Sequence, residues 1–265
     1  MKNFVRILSL VLILAMAIFC FAGCGSKTET PAADNGAANS AAKTYIIYSD
    51  NAFAPFEYFD EAAGAYIGVD MDLLAAIAED QGFAYEMHNE GFDASMGAVQ
   101  SGQADAMIAG MTIRPDRAEV YDFSEGYFED GQIMVVKADS SIASLEDLRG
   151  LTVAVKTSTA GADYAASIAD DYGFTLQYYE DSPTMYTAVI NGTNDACFED
   201  RSVVGWAIQS EGLSLKTIGE VLNPGFYGFA VKKGSNPELI TMFNAGLANL
   251  KANGKYAQIL AKYGY

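Results

Sequence analysis

Short apolar runs alternate with longer amphipathic stretches along most of this chain. Runs rich in β-branched and aromatic residues predict strands at 45–48, 83–87, 133–136, 151–155, 174–179, 215–218 and 227–232. Between the first two runs, Leu74 and Ile77 share one face of a predicted helix that Asp70 is expected to cap. Helices are predicted over 71–80, after the loop 156–161, after Ser182, and over 237–251 and 256–262. This alternation is typical of an α/β fold.

One pattern occurs twice, ninety residues apart. Residues 99–106 read Val-Gln-Ser-Gly-Gln-Ala-Asp-Ala, and residues 189–196 read Val-Ile-Asn-Gly-Thr-Asn-Asp-Ala. In each copy an amphipathic stretch ends at a Ser-Gly or Asn-Gly pair, and an apolar run and then a polar loop follow. Because ligands of open α/β sheets bind at loops after the carboxyl ends of strands, the repetition predicts two similar lobes that share a cleft.

Two breaks divide the predicted elements between these lobes. The pattern of strands and helices restarts after residues 122–127, and Pro224-Gly225 interrupts it near the far end. Two breaks imply that the chain crosses twice between the lobes, an arrangement suited to a hinge. The predicted first lobe comprises residues 44–127 and 228–265 and the second residues 128–227, with hinge crossings near 127–131 and 223–227.

The N-terminal residues have the composition of a secretory leader. Lys2 and Arg6 precede an apolar run over 7–21, and the sequence Phe-Ala-Gly-Cys that ends at Cys24 resembles a bacterial lipobox. We therefore expect a signal peptide over 1–23, a lipid on Cys24 and a flexible tether over 24–43. The alternative is a membrane-spanning helix, but glycines interrupt the apolar run before it reaches a comfortable span. This predicts an extracytoplasmic protein anchored to the bacterial cell membrane.

Charge and composition exclude several classes of function. The chain has 34 acidic residues against 16 Lys and Arg, a net charge of −18, which disfavours nucleic acid as a partner. Of three cysteines only Cys197 falls in the folded part, so no disulfide is expected there. His88 is the single histidine, and we therefore expect neither a transition-metal site nor a His-based catalytic triad.

Charged and aromatic residues fall in the loops predicted to face the cleft. The planar guanidinium of Arg117 suits a ligand carboxylate, and Asp200, in the matching loop of the second lobe, suits an ammonium group. The loop 157–161 precedes a helix and offers backbone N–H groups to an anion. Phe53 and Phe92 are placed to enclose a side chain. Each has a structural alternative: a surface ion pair for the arginine, a solvated loop acid for the aspartate, and core packing for the aromatics.

Several motifs together resemble one known family. They are Pro55-Phe-Glu57, residues 68–72, Phe92-Asp93, residues 108–113, Arg117 with residues 122–124, residues 227–231 and residues 253–256. In their order and spacing the chain resembles the amino-acid-binding extracytoplasmic proteins of ABC importers, the group that includes the glutamine-binding protein. The resemblance implies a two-lobed, periplasmic-binding-protein-like α/β fold of type II with a hinge. It also implies a free L-amino acid and ABC permease subunits as partners, no cofactor, and no enzymatic activity.

The resemblance further implies ligand-binding roles for ten residues: Asp50, Phe53, Phe92, Gly110, Thr112, Arg117, Lys156, Thr159, Ala160 and Asp200. Arg117 is expected to hold the α-carboxylate, with backbone N–H groups of Thr112, Thr159 and Ala160. Asp200 is expected to hold the α-ammonium, with the Gly110 carbonyl and the Thr112 hydroxyl. The two phenylalanines are expected to enclose the ligand side chain.

Ligand identity depends on the residues expected to face that side chain. Asp50 supplies an acceptor and Lys156 a donor, which together fit a side-chain amide, and the lysine repels cationic ligands. A polar neutral amino acid, glutamine first, is therefore favoured. Glu199 near the cleft could instead favour a cationic amino acid. Two alternatives of other classes stay open: a cyclohexadienyl-dehydratase-like enzyme that uses Lys156 and Glu199 for proton transfer, and a sensor ectodomain that docks to a partner.

Overall fold

The structure is a computed structural model that describes residues 43–265. The expected signal peptide, lipid site at Cys24 and nearly all of the tether lie outside the described residues. Helices of the described part are α1 (Val69–Gln81), α2 (Phe92–Ser101), α3 (Ala160–Tyr172), α4 (Ser182–Ile190), α5 (Arg201–Trp206), α6 (Pro237–Ala252) and α7 (Lys255–Lys262). Among residues 43–265, no helix combines the length and apolar character needed to cross a bilayer.

The strands form two five-stranded sheets and one small sheet. They are β1 (Thr44–Ser49), β2 (Ala52–Phe53), β3 (Glu57–Asp60), β4 (Ala65–Ile67), β5 (Ala84–Asn89), β6 (Ala106–Met107), β7 (Tyr121–Phe123), β8 (Phe128–Lys137), β9 (Thr152–Lys156), β10 (Thr175–Tyr179), β11 (Ala196–Asp200), β12 (Leu215–Tyr227) and β13 (Ala230–Lys232). The first large sheet has the order β5-β1-β6-β13-β7 and the second β10-β9-β11-β8-β12. Strands β2, β3 and β4 form the small sheet.

The two large sheets share one plan of strand directions. In the first, β1 runs parallel to β5 and β6, while β13 runs antiparallel to β6 and β7. In the second, β9 runs parallel to β10 and β11, while β8 runs antiparallel to β11 and β12. The chain passes between the sheets twice, from β7 to β8 and from β12 to β13. The lobe boundaries and the rotation of a hinge at these crossings stay predictions.

Helices cover both faces of the second sheet, and the alternation of its strands shows why. Ala154 and Cys197 point to the face that Met185 of α4 covers. Their neighbours Val153 and Phe198 point to the opposite face, which α3 covers. All five side chains are buried, because successive residues of a strand face opposite sides of a sheet.

The repeated sequence pattern forms the same element pair in each sheet. In the first copy α2 ends at Ser101, Gly102 follows in a left-handed conformation at φ 82°, and the chain enters β6. In the second copy α4 ends at Ile190, Gly192 adopts φ 75°, and the chain enters β11. Both strands lie inside their sheets, so the loops that follow them begin at corresponding places. The predicted helix–strand repeat is confirmed.

The expected start of α1 is wrong by two residues. The helix begins at Val69 with Gly68 as its N-cap, instead of Asp70. A Cβ on residue 68 would lie 1.9 Å from the carbonyl oxygen of Phe56, and the residue has φ 142°, so only glycine lets the chain pass there. Asp70 is instead buried in the first turn of the helix, where its carboxylate has other partners.

Two further boundaries differ from the sequence prediction. Helix α4 is capped by Asp181, whose Oδ1 accepts a hydrogen bond from the backbone N–H of Thr184 at 2.7 Å, so Ser182 is the first helical residue. The strand expected over 227–232 is divided at Gly228 into the end of β12 and a separate β13. This division coincides with the second passage of the chain between the sheets.

Candidate ligand-binding cavity

A small cavity lies where strand ends and loops of the two large sheets meet. Asp50 follows β1 and Gly110 follows β6 in the first sheet, while Lys156 ends β9 and Asp200 ends β11 in the second. The lining residues are Asp50, Phe53, Phe92, Ala109, Gly110, Thr112, Arg117, Lys156, Thr159, Ala160, Gly161, Glu199 and Asp200. All ten residues singled out from the sequence are therefore brought to one cavity, and their ligand-binding roles stay predictions.

Arg117 is buried, and both ends of its guanidinium donate to backbone carbonyls. It lies in the short 3₁₀ turn Arg117–Glu119. Nη1 donates to the carbonyl of Thr112 at 2.9 Å, and Nη2 donates to the carbonyl of Ser158 at 2.8 Å. Ser158 belongs to the loop after β9. Burial, and secondarily the nearby Arg114, lowers its pKa to about 10, so the group stays cationic at neutral pH.

The surface ion pair considered for Arg117 belongs to its neighbour. Arg114 pairs with Asp116 at 2.6 Å and with Asp163 of α3 at 2.7 Å, and both carboxylates are exposed. Arg117 is only 4% exposed. The structural alternative is therefore wrong for Arg117.

Asp200 is buried as well, so it is not a solvated loop acid. Its Oδ1 accepts a hydrogen bond from Nε2 of Gln132 at 2.7 Å, and its Oδ2 accepts one from the hydroxyl of Tyr227 at 2.5 Å. Burial, followed by the negative charges of Asp130 and Glu199, raises the pKa of Asp200 to about 7. A cation placed against this carboxylate would relieve both effects.

Asp50 and Lys156 form a buried ion pair across the cavity. Oδ2 of Asp50 accepts a hydrogen bond from Nζ of Lys156, and both side chains are almost completely inaccessible to solvent. The ammonium also lies 4.7 Å from the ring centre of Phe53 and 5.7 Å from that of Phe92. Burial opposes the charge of Lys156, but the nearby carboxyl groups, Asp50 before Glu199 and Glu57, together outweigh it, and the pKa of the lysine is raised above its ordinary value.

Glu199 precedes Asp200 in β11 and lines the same cavity. Its Oε2 accepts a hydrogen bond from the hydroxyl of Tyr186 at 3.0 Å, and its Oε1 accepts one from the backbone N–H of Asp200 at 2.9 Å. Burial raises its pKa, and the charge of Lys156 acts in the opposite direction. The side chain is therefore held by its neighbours while it borders the cavity.

The loop before α3 brings backbone groups to the same cavity. Thr159 is the N-cap of the helix, and its Oγ1 accepts a hydrogen bond from the N–H of Ala162 at 3.2 Å. Ala160 and Gly161, the first two helical residues, line the cavity. The positive end of the helix dipole is thus directed towards any anion bound there.

Residues 45–265 match the family model of the bacterial extracellular solute-binding proteins, family 3. The chain belongs to this family. It is 30% identical to the glutamine-binding protein GlnH of a Bacillus subtilis ABC transporter. The alignment has 274 positions and covers 97% of each chain. Other relatives of this family-3 protein are named for histidine or arginine.

Solved structures agree with the assignment of this chain to solute-binding protein family 3. It is 44% identical to the second substrate-binding domain of GlnP from Lactococcus lactis, solved in an open conformation, with a TM-score of 0.59 over 83% of this chain and 94% of that one. It is 35% identical to an ancestral arginine-binding protein bound to arginine, with a TM-score of 0.77 over 84% and 98%. The predicted fold class, a periplasmic-binding-protein-like α/β fold of type II, is confirmed.

Two lining residues of this solute-binding protein are not among the ten for which a ligand-binding role was expected. Ala109 and Gly161 carry no group that the chemistry of a site would single out, and they contribute by leaving space. A Cβ on residue 161 would lie 3.3 Å from the carbonyl oxygen of Phe198, so glycine also permits close packing of α3 on β11. Gly161 belongs to the loop 157–161, which the sequence predicted to offer backbone N–H groups to an anion, whereas no such signal pointed to Ala109.

Proposed function

We propose that this solute-binding protein captures a free L-amino acid in the cavity and delivers it to an ABC permease. One observation carries the proposal: Arg117, which lies between β6 and β7 of the first sheet, and Asp200, which ends β11 of the second, are both buried and both line one cavity. A free amino acid is a zwitterion, so its carboxylate matches Arg117 and its ammonium group matches Asp200. The relatives are binding proteins named for amino acids, which supports the same assignment.

The bonding state of the two charged groups supports the carboxylate and ammonium roles. A guanidinium has five N–H donors in a planar fork, and Arg117 uses one N–H on each of two carbonyls. It therefore has donors left for a carboxylate, with the N-terminus of α3 beside it. Asp200 carries an unfavourable burial of charge that an ammonium group would offset.

Contacts between the two sheets support closure around the ligand. Ser158, whose carbonyl accepts from Arg117, also donates its hydroxyl to Oδ1 of Asp93 at 2.5 Å. The chain superposes better on the arginine-bound ancestral protein than on the open GlnP domain, although it is more identical to the open one. Two similar lobes set at different angles would produce this result. A ligand that contacts both lobes then stabilises the closed state by its preference for it.

We further propose that the ligand is a polar neutral amino acid, with glutamine first. Asp50 and Lys156 neutralise each other at the part of the cavity that Phe53 and Phe92 border. A side-chain amide offers one donor and one acceptor, so it satisfies this pair without adding charge. The relative named for glutamine supports this choice, and Glu199 supports a cationic amino acid as the second candidate.

Calorimetry on the tether-free chain with glutamine, asparagine, glutamate, arginine, lysine and histidine tests both parts of the proposal. Tight binding of glutamine that Arg117→Ala abolishes supports it. Binding of arginine or lysine in preference to glutamine overturns the ligand assignment, and the variant Glu199→Gln then shows whether that acid selects the cation. Failure of every amino acid to bind overturns the function. Turnover of prephenate in a parallel assay would favour the dehydratase alternative.

A lipid on Cys24 is part of the same proposal, because a captured amino acid must be delivered at the membrane. The leader and its terminal Phe-Ala-Gly-Cys support it. Expression in a bacterial host with a labelled fatty acid tests it. The label should appear on the wild-type chain and be absent from Cys24→Ala, which should leave the membrane fraction. A Cys24→Ala chain that keeps the label overturns the lipid assignment.

A further inference from the structure

Two carboxyl groups lie buried together behind the cavity wall, outside the lining residues. Glu57 begins β3, and Asp70 lies in the first turn of α1. The two segments are joined through Phe56, whose carbonyl accepts a hydrogen bond from the backbone N–H of Asp70 at 3.0 Å. Both side chains have no solvent exposure.

The hydrogen bonds of this pair are unevenly distributed. Oδ2 of Asp70 accepts from the backbone N–H of Gly110 at 2.9 Å and from the hydroxyl of Tyr127 at 2.7 Å. Among residues 43–265, no N–H or O–H group donates to Oδ1 of Asp70 or to either oxygen of Glu57. Buried acceptors without a donor are costly, so three such atoms on two neighbouring carboxyl groups call for an explanation.

A proton held by the pair supplies the missing donor. We propose that Glu57 is a carboxylic acid that donates its O–H to Oδ1 of Asp70, and that the ionised Asp70 thereby fixes the backbone of Gly110 at the ligand cavity. This inference rests on the proposed function, because it makes Glu57 and Asp70 positioning residues for the amino-acid site. The side chain of Glu57 lies within hydrogen-bonding reach of Asp70.

The charged and titratable groups around the pair assign the proton to Glu57. Burial raises the pKa of Glu57 well above its usual range, Asp70 and Asp50 raise it further, and only Lys156 lowers it. Burial also raises the pKa of Asp70, to about 6, but the N–H of Gly110 and the hydroxyl of Tyr127 favour its ionised form. Its place in the first turn of α1 favours the same charge. Two adjacent buried carboxyl groups do not both ionise, so the pair holds one proton at neutral pH.

Gly110 is the place where this pair acts on the ligand site. Its φ of 52° is left-handed, and a Cβ there would lie 2.4 Å from Cε1 of Phe53. The residue has no side chain to hold it, and its carbonyl is expected to accept from the ligand ammonium. The bond from its N–H to Asp70 therefore sets the orientation of the preceding peptide, and Glu57 sets the orientation of Asp70.

Variants that replace only the proton donor separate this role from general stability. In Glu57→Gln the amide N–H donates to Asp70 as the acid does, so glutamine should bind within about twofold of wild type. Glu57→Leu removes the donor and should weaken binding at least about tenfold, or ~1.4 kcal/mol. Asp70→Asn should weaken binding and shift the Gly110 amide in NMR spectra. The control Asp72→Asn, at an exposed pair with Lys262, should leave both readings unchanged.

Infrared spectra of the ligand-free chain at neutral pH test the proton itself. Because burial also raises the pKa of Glu199, the background is Glu199→Gln: a carboxylic-acid band that moves when glutamate is isotope-labelled should be present in that variant and absent from the double variant Glu57→Gln, Glu199→Gln. A band missing from Glu199→Gln, or one that survives in the double variant, overturns the inference. So does a loss of binding in Glu57→Gln as large as in Glu57→Leu. If no amino acid binds the wild type, the proposed function fails, while the infrared and NMR readings still decide the state of the pair.

Discussion

The ammonium of Lys156 and the carboxylate of Asp50 form an ion pair that joins the two large sheets inside the cavity. Lys156 ends β9 of the second sheet, and Asp50 follows β1 of the first. Water reaches neither group, so Asp50 depends on Lys156 for compensation of its charge, while Lys156 is compensated by Asp50 first and also by Glu199. The pair therefore ties the relative position of the sheets to the charge balance of the cavity.

Removing one partner should cost much more than removing both. Lys156→Met leaves Asp50 buried and unpaired, and we expect a loss of about 3–5 kcal/mol in the free energy of unfolding. The double variant Asp50→Asn, Lys156→Met should recover most of that loss. Urea denaturation of the ligand-free chain measures both. Lys262→Met, which removes the partner of Asp72 at the surface, is the matched control and should cost about 1 kcal/mol or less. A double variant as unstable as the single one would contradict this account.

Two neighbouring arginines should differ sharply in their effect on binding. Arg117→Lys keeps the charge but loses the planar fork, and we expect glutamine binding to weaken by about a hundredfold, or ~2.7 kcal/mol. Arg114→Lys alters an ion pair with two exposed acids and should change affinity by less than about threefold. Calorimetry at one ionic strength compares them. Equal losses in the two variants would show that Arg117 has no special contact with the ligand.

The sequence predicted that Arg117 and Asp200 face one cleft, because their loops follow two copies of one helix–strand pattern. Strands of similar sheets end at corresponding edges, so a repeat in the sequence becomes two loops that face one cleft. Ser144 and Asp147 form a capping box at the start of the short 3₁₀ helix Leu145–Leu148, and such a box is likewise predictable, since it depends on residues three apart. Local patterns were sufficient wherever the interaction itself is local or repeated.

Contacts between distant segments were not predictable in the same way. Asp70 has the residue type of an N-cap, but the chain turns earlier, at Gly68, because it passes close to the backbone of Phe56. Glu57 is one of 34 acids in a chain where a solvated acid is the ordinary case, and its burial depends on how β3 packs on α1. Propensity and periodicity carry no information on such packing.

Binding of an amino acid should weaken as the pH falls. Asp200 must be ionised to hold an ammonium, and burial raises its pKa to about 7 in the ligand-free cavity. Affinity should therefore decrease about tenfold between about pH 8 and about pH 6 as the carboxyl takes up a proton. Calorimetry in buffers of different ionisation enthalpy should also detect proton release on binding near neutral pH. A flat profile and no proton release would exclude Asp200 as the ammonium site.

Asp70 and Asp200 should make the free energy of unfolding of the ligand-free chain decrease as the pH rises, whereas the affinity for an amino acid increases. The pKa of Asp70 is raised to about 6 and that of Asp200 to about 7, so the folded state binds more protons than the unfolded chain between their ordinary and raised values. Their contribution to stability is complete below about pH 4 and is lost as the pH rises through about 6–7. Asp200→Asn removes one of the two groups, and its unfolding free energy should fall less between about pH 5 and about pH 8 than that of wild type. An identical pH profile in the variant would contradict this.

Alanine substitutions at two glycines with similar φ angles distinguish backbone strain from steric overlap with the ring of Phe53. Gly110 has φ 52° and Gly64 has φ 63°, so alanine pays a comparable cost of about 1–2 kcal/mol for a left-handed conformation at either position. A Cβ on residue 64 meets nothing within 4 Å, whereas one on residue 110 would overlap the ring of Phe53. Gly110→Ala should therefore lose glutamine binding by at least about tenfold as the ring is displaced, while Gly64→Ala should lose stability but keep its affinity. Thermal denaturation and calorimetry on both variants measure the two effects. Unchanged affinity in Gly110→Ala would mean that neither this backbone segment nor the ring of Phe53 touches the ligand.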